Sequence, residues 1–262
     1  MELIAALQPL VELGVGPIAI VAGVFVRLSA LVFLLPGMGE RAVSPRIRLA
    51  AALAMTLVLM PIVMAASPAT PQAPSAIALT LCAEAVCGAL IGFSIRIAVW
   101  AIQTAGSIAA QHLSLSQIFG GGLDDAPEPP IATLMMVAAI AVAVSSGVHF
   151  KAVSALAVSY DVMPFGTFPG AEQAGRWAAD RAGFAFASAL SLALPFVVLG
   201  FMYNLAIGAA NRAMPQLMVA FVGAPAITLA GLVLLAASTP LLLGVWSDML
   251  DRIFATLMGA AR

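Results

Sequence analysis

The chain has 262 residues, of which 63% are hydrophobic and 9% charged, with a formal net charge of −1. Soluble domains carry about 25% charged residues, so this composition excludes a water-soluble fold, and the lack of any basic stripe excludes nucleic acid as a partner. No acidic or basic side chain occurs between Arg48 and Glu84, between Arg181 and Arg212, or between Arg212 and Asp248. Each of these stretches can supply the roughly 20 residues of a bilayer-spanning helix, whereas a barrel would show short alternating segments. The expected fold is all-α and membrane-associated: about six kinked apolar helices in antiparallel hairpins, with a short C-terminal amphipathic helix, forming a single helical domain over 1–262.

In chain order, the opening MELIAALQPLVELGVGP has no positively charged region and two glutamates before the first apolar run. It does not read as a cleaved signal peptide, so insertion without processing is expected. Apolar segments follow at about 14–37, 46–66, 76–111, 131–155, 182–211 and 218–246, separated by short breaker-rich linkers. Pro17, Pro61, Pro195, Pro225 and Pro240 fall in or beside these runs, where each removes a backbone hydrogen bond and bends the helix. Arg27, Glu84 and Arg96 lie within them. Ionisable groups are costly in lipid, which places these three against protein or a pore, with snorkelling to an interface the alternative for Arg27 and Arg96.

Gly88 and Gly92 form a G-x-x-x-G that permits close helix approach. Cys82 and Cys87 form no CxxC and have no adjacent His, and read as free thiols rather than a metal or disulfide pair. The polar stretch 161–181 is expected as a linker. The tail 247–262 sets Asp248, Asp251 and Arg252 beside Met249, Leu250, Ile253 and Phe254, which suits an amphipathic helix at a surface.

Few residues suggest chemistry, and no catalytic, cofactor or metal site is expected. Ser146 and His149 are three apart on a helix and could meet, but no G-x-S-x-G surrounds the serine. Tyr160-Asp161 and Asp124-Asp125 lie in breaker-rich loops, unlike an intramembrane carboxyl pair that shares a proton. The three glycines at 120–122 lack the following Lys-Ser/Thr of a phosphate loop. Met135 and Met136 could line a deformable seal or simply fill a core.

The most interrupted stretch is LSLSQIFGGGLDDAPEPP at 113–130. A helix-to-helix loop accounts for 123–130, where acids and prolines stop one helix and start the next. It accounts less well for the apolar Leu115, Ile118 and Phe119, which sit just before Gly120, Gly121 and Gly122. Apolar side chains on a glycine-hinged loop can close a pore by excluding water.

Three stretches in order resemble the FliR family of the flagellar, or type III secretion, protein-export gate. RLSALVFLLPGMGERAVSPRIRLAAALAM is similar to the family's N-terminal hairpin, through Arg27, Pro36, Gly37, Pro45, Arg46, Arg48 and Leu49. AGSIAAQHLSLSQIFGGG resembles its central helix and Leu-Ser-rich loop. NLAIGAANRAMPQLMVAFVGAPAITLAGL resembles the N-R-x-x-P-Q turn before the last long hairpin. Met218 stands where relatives often have Asn, and Gly120 and Gly121 follow Phe119 where many carry Asp-Pro.

The resemblance implies a non-enzymatic gate subunit, one copy assembling with FliP-like and FliQ-like chains into a ring through which unfolded flagellar proteins leave. It also implies FlhB-like and FlhA-like neighbours and a place in the inner membrane at the flagellar basal body. The injectisome branch shares this architecture, and the Leu-Ser-rich loop favours the flagellar one. Leu115, Ile118, Phe119, Gly120, Gly121 and Gly122 are then expected as the pore plug. Arg27, Glu84, Arg96, Asn211, Arg212, Pro215 and Gln216 are expected as inter-subunit or buried polar residues. A small-molecule secondary transporter, which also uses broken helices, is the alternative. The echo of RAVSP at 41–45 in RAMP at 212–215 is too short to establish an internal repeat.

Overall fold

The computed structural model describes residues 2–66, 73–113, 129–213 and 219–259, and every regular element among them is an α-helix. In order these are α1 (Glu2–Leu34), α2 (Pro45–Ala65), α3 (Pro74–His112), α4 (Pro130–Ser145), α5 (Val148–Val162), α6 (Ala171–Ala213) and α7 (Val219–Gly259). The Ala-, Leu- and Met-rich composition favours this state throughout. Local signals set the boundaries. Ser44 caps α2, its hydroxyl accepting from the Arg46 N–H at 3.4 Å, and Pro45 follows at the first helical position, where its missing N–H costs nothing.

Five stretches are long and apolar enough to cross a membrane: Gly16–Leu34, Pro45–Ala65, Pro74–His112, Ala171–Ala213 and Pro225–Gly259. Helices α4 and α5, bent by 68° at their break, have the length and apolarity of one broken span or of a re-entrant pair. The chain is therefore a multi-pass helical membrane protein. The 39 residues of α3 and 43 of α6 correspond to about 58 and 64 Å of helix at 1.5 Å per residue. Both are about twice the roughly 30 Å hydrocarbon core.

Three features differ in detail from the segments drawn on the sequence. The run 131–155 is two helices, broken at Ser146 and Gly147, where Gly147 has φ +74°. That left-handed conformation is unfavourable for residues with a Cβ. In keeping with the apolar runs, α2, α6 and α7 continue through Pro61, Pro195, Pro225 and Pro240. The expected linker 161–181 is helical over much of its length, because α5 extends to Val162 and α6 begins at Ala171. The C-terminal amphipathic segment is helical and continuous with α7. Its apolar stripe of Met249, Leu250, Ile253 and Phe254 is buried within the chain.

The chain divides into two compact units. The first holds Met1–Arg96, Ala143–Arg181 and Leu250–Arg262. In it α1 packs on α2 and α2 on α5, around Val24, Leu28, Leu31, Ile91, Ile95 and Leu156, all buried. The G-x-x-x-G of α3 meets α1 directly: a methyl group at Gly88 would strike the Arg27 carbonyl, and one at Gly92 would lie 2.8 Å from the Leu34 Cβ. Lys151 of α5 donates to Asp251 of α7 at 2.6 Å on the outside of this unit.

The second unit holds Ile97–Val142 and Ala182–Met249. It too is built on small residues, which let helix backbones approach. A methyl at Gly106 of α3 would lie 2.6 Å from the Ala132 Cα of α4, and one at Gly200 of α6 would lie 2.9 Å from the His112 Cβ. The buried Trp246 of α7 donates its indole N–H to the Ala98 carbonyl at 2.7 Å. Buried indole donors require such an acceptor. Outside the cores, Leu57, Phe150, Phe186 and Leu241 are each more than two-thirds exposed.

Candidate functional site

Among the described residues, the most polar buried place lies inside the first unit, where α1, α3, the end of α5 and the turn 163–170 meet. Arg27 and Glu84 are both completely buried, with the Arg27 Nη1 3.4 Å from the Glu84 Oε2. Two charges out of water need more than each other, since every remaining donor and lone pair also requires a partner. The end of α5 and the turn after it supply these. Arg27 Nη1 also donates to the Met163 carbonyl at 3.1 Å, and Nη2 donates to the Ser159 carbonyl at 3.3 Å and hydroxyl at 2.9 Å. The Ser159 hydroxyl in turn donates to the Leu156 carbonyl.

Glu84 is satisfied from the same side. Its Oε2 accepts from the Tyr160 hydroxyl at 3.2 Å, and its Oε1 from the Gly166 N–H at 2.8 Å. Gly166 has φ +74°, so the turn can direct this N–H at the carboxylate without the steric penalty a Cβ would bring. The Tyr160 ring also lies under the guanidinium, 4.1 Å from centroid to Cζ, a cation–π contact strengthened by exclusion of water. The Arg27 Nε is buried without a partner among the described residues. The thiol of Cys87, one turn along α3 from Glu84, is buried and points its Sγ at the Thr167 carbonyl at 3.7 Å.

This arrangement is suited to fixing helix register. A charge pair surrounded by hydrogen bonds admits one relative placement of α1, α3 and α5, because a slip of either helix leaves an unpaired buried charge. Breaking such a pair from one side costs about 3–5 kcal/mol.

Arg96 and Glu40 form a second ion pair, between α3 and the turn that joins α1 to α2, with side chains 15% and 20% exposed. Asn211 and Arg212 are exposed on the last turn of α6. Pro215 and Gln216 lie outside the described residues, as do Leu115, Ile118, Phe119, Gly120, Gly121 and Gly122. The Ser146 hydroxyl donates to the Ala143 carbonyl at 2.9 Å, and the His149 ring rests on Phe150 at 4.1 Å between centroids. Among the described residues, no three His, Cys, Asp or Glu side chains gather as metal ligands would.

Nothing in the sequence motifs marks Ser159, Gly166 or Glu40 as a site residue, and Tyr160-Asp161, expected in a breaker-rich loop, lies in α5. One signal could have found them. A buried Arg-Glu pair leaves several unfilled hydrogen bonds, and Ser159-Tyr160-Asp161 is the polar cluster that closes the 131–155 apolar region.

The class is thus a multi-pass helical membrane protein with a fully buried charge pair. Residues 18–253 match the family described as bacterial export proteins, family 1. The chain is 30% identical to the flagellar biosynthetic protein FliR of Caulobacter vibrioides over 232 residues, covering 87% of this chain and 92% of that protein. It is also 30% identical to the FliR of Escherichia coli K12 over 236 residues, 88% of each. The FliR of Pectobacterium carotovorum matches at 28% over 89% of each chain. The chain belongs to this bacterial export protein family.

Proposed function

We propose that this chain is a subunit of the flagellar type III protein-export gate, resident in the inner membrane at the flagellar basal body. There it assembles with FliP-like and FliQ-like chains around a channel for unfolded flagellar proteins, next to FlhA-like and FlhB-like export components. The observation that carries this reading is the match along nearly the whole chain to relatives named as flagellar biosynthetic proteins. Two physical features support it. Helices α3 and α6 are about twice as long as a bilayer core needs, and Phe150, Phe186 and Leu241 present wide apolar faces, as a subunit surrounded by other helices would. In this reading Leu115, Ile118 and Phe119 plug the channel, and Gly120, Gly121 and Gly122 allow incoming polypeptide to displace them.

The test is native mass spectrometry of the tagged protein, extracted gently from its own membranes. One copy bound to several copies of two other small membrane proteins is the expected result. A monomer or homodimer from a preparation that preserves membrane complexes would overturn the gate reading and favour a transporter. For the plug, deletion of 116–122 is expected to make the membrane leak ions, and an ion-tight membrane would remove it.

A further inference from the structure

Helix α2 stands apart from its neighbours in length. Its 21 residues make about 32 Å at 1.5 Å per residue, close to the roughly 30 Å hydrocarbon core of a bilayer. By contrast α3, α6 and α7 have 39, 43 and 41 residues and overshoot that core. Charge bounds α2 on one side only: Arg41 and Arg46 are exposed at its first end, and after Arg48 no charge follows until Glu84.

It is also the least covered. Only 22% of its most apolar stretch is buried, the smallest share among the five candidate spans. Its buried residues Ala52, Thr56, Leu59 and Val63 fall within about 60° of the helix circumference at 3.6 residues per turn. Ile47, Leu49, Leu53, Leu57, Val58 and Ile62 are 49–75% exposed. At the same 3.6 residues per turn these six spread over about 220°. A packed helix presents a stripe of roughly 100°, so one neighbour leaves most of this face bare. Helices that pair in lipid seat on small residues, as α1 and α3 do here at Gly88 and Gly92. In α2 there is no Gly or Ser, and the six exposed side chains are all Leu, Ile or Val.

We infer that lipid acyl chains cover both flanks of α2 in the assembled protein, which makes this helix the edge where the subunit meets the bilayer. Acyl chains are as apolar as Leu and, being fluid, conform to every side of a helix without the shape match that a partner helix needs. The inference stands apart from the gate reading, which the native mass of the complex tests.

The experiment is photocrosslinking in native membranes, with p-benzoylphenylalanine in place of Leu57 or of Val58, which point about 100° apart around the helix. The expected product at both positions is the intact chain carrying the added mass of one phospholipid, with no adduct to another protein. A protein adduct at either position overturns the inference, since that flank then faces a partner. Absence of any adduct overturns it too, because the probe inserts into nearby C–H bonds and finds none in water. Should the bulky probe block assembly, a nitroxide on Leu57→Cys in a Cys82→Ser background gives the same decision. Its collisions with oxygen should exceed those with a water-soluble nickel chelate. The reverse order marks an aqueous face and low rates for both mark a protein contact, and either result overturns the inference.

Discussion

Gly88 of α3 lies against the main-chain carbonyl of Arg27 in α1, one turn along the same helix from Glu84, which pairs with the Arg27 side chain. One residue of α1 is thus held twice by one helix, at its backbone by a missing side chain and at its guanidinium by a carboxylate. The two contacts depend on each other: the ion pair keeps its short reach only while Gly88 lets the helices close.

Gly88→Ala is therefore expected to destabilise the protein even though Ala favours helix. The added methyl would meet backbone, which cannot rotate away, and overpacking of this sort costs about 1–3 kcal/mol. The thermal unfolding midpoint of purified protein should fall. A midpoint at or above wild type would show that α1 and α3 are further apart than described.

Glu84→Gln should be more damaging than Glu40→Gln. The first leaves a fully buried Arg27 without its counter-charge, at about 3–5 kcal/mol. The second loosens a pair that still touches solvent, for which roughly 0–1 kcal/mol is usual. Comparison of the two unfolding midpoints decides it, and equal losses would contradict the difference in burial.

The double substitution Arg27→Met, Glu84→Met should cost less than the sum of its single substitutions, since each single strands the other charge. The coupling measured by a double-mutant cycle should be of order 0.5–3 kcal/mol. Strict additivity would mean that the two groups do not interact.

At the α4–α5 break, Gly147→Val should destabilise more than Gly147→Asn. The Gly147 φ of +74° is a conformation that Asn visits and β-branched residues avoid, at a cost of about 1–2 kcal/mol. Indistinguishable midpoints for the two variants would argue for a conformation at 147 with negative φ.

Much of this organisation is legible in the sequence for a plain reason. Long runs without charge leave few folds open, and Arg27, Glu84 and Arg96 stand out because nothing around them is ionisable. Their pairings are not legible, because a partner 57 or 132 residues away leaves no periodic trace. The break at Gly147 is hidden because residues on both sides are equally apolar, so composition does not distinguish one helix from two at 68°. Pro195 and Pro240 sit inside continuous helices, as their places within long apolar runs suggest. The helical part of 161–181 reads as linker because Asp161, Glu172, Asp180 and Arg181 make it polar, although a helix that reaches past the bilayer is polar there for the same reason. The family motifs reach Pro215, Gln216 and the 113–130 loop, so those assignments rest on resemblance and not on geometry.

The separation of Arg27 from its partners also has a consequence in time. Ribosomes add about 5–20 residues per second, so Arg27 is made roughly 3–11 s before Glu84, 57 residues later. Ser159, 132 residues later, follows Arg27 by roughly 7–26 s at that rate. Throughout that wait α1 carries a lone arginine, which on insertion scales opposes entry into lipid by about 2.5–3.5 kcal/mol. Until the third helix brings its counter-charge, the Leu, Ile, Val and Phe residues around Arg27 must outweigh that cost on their own.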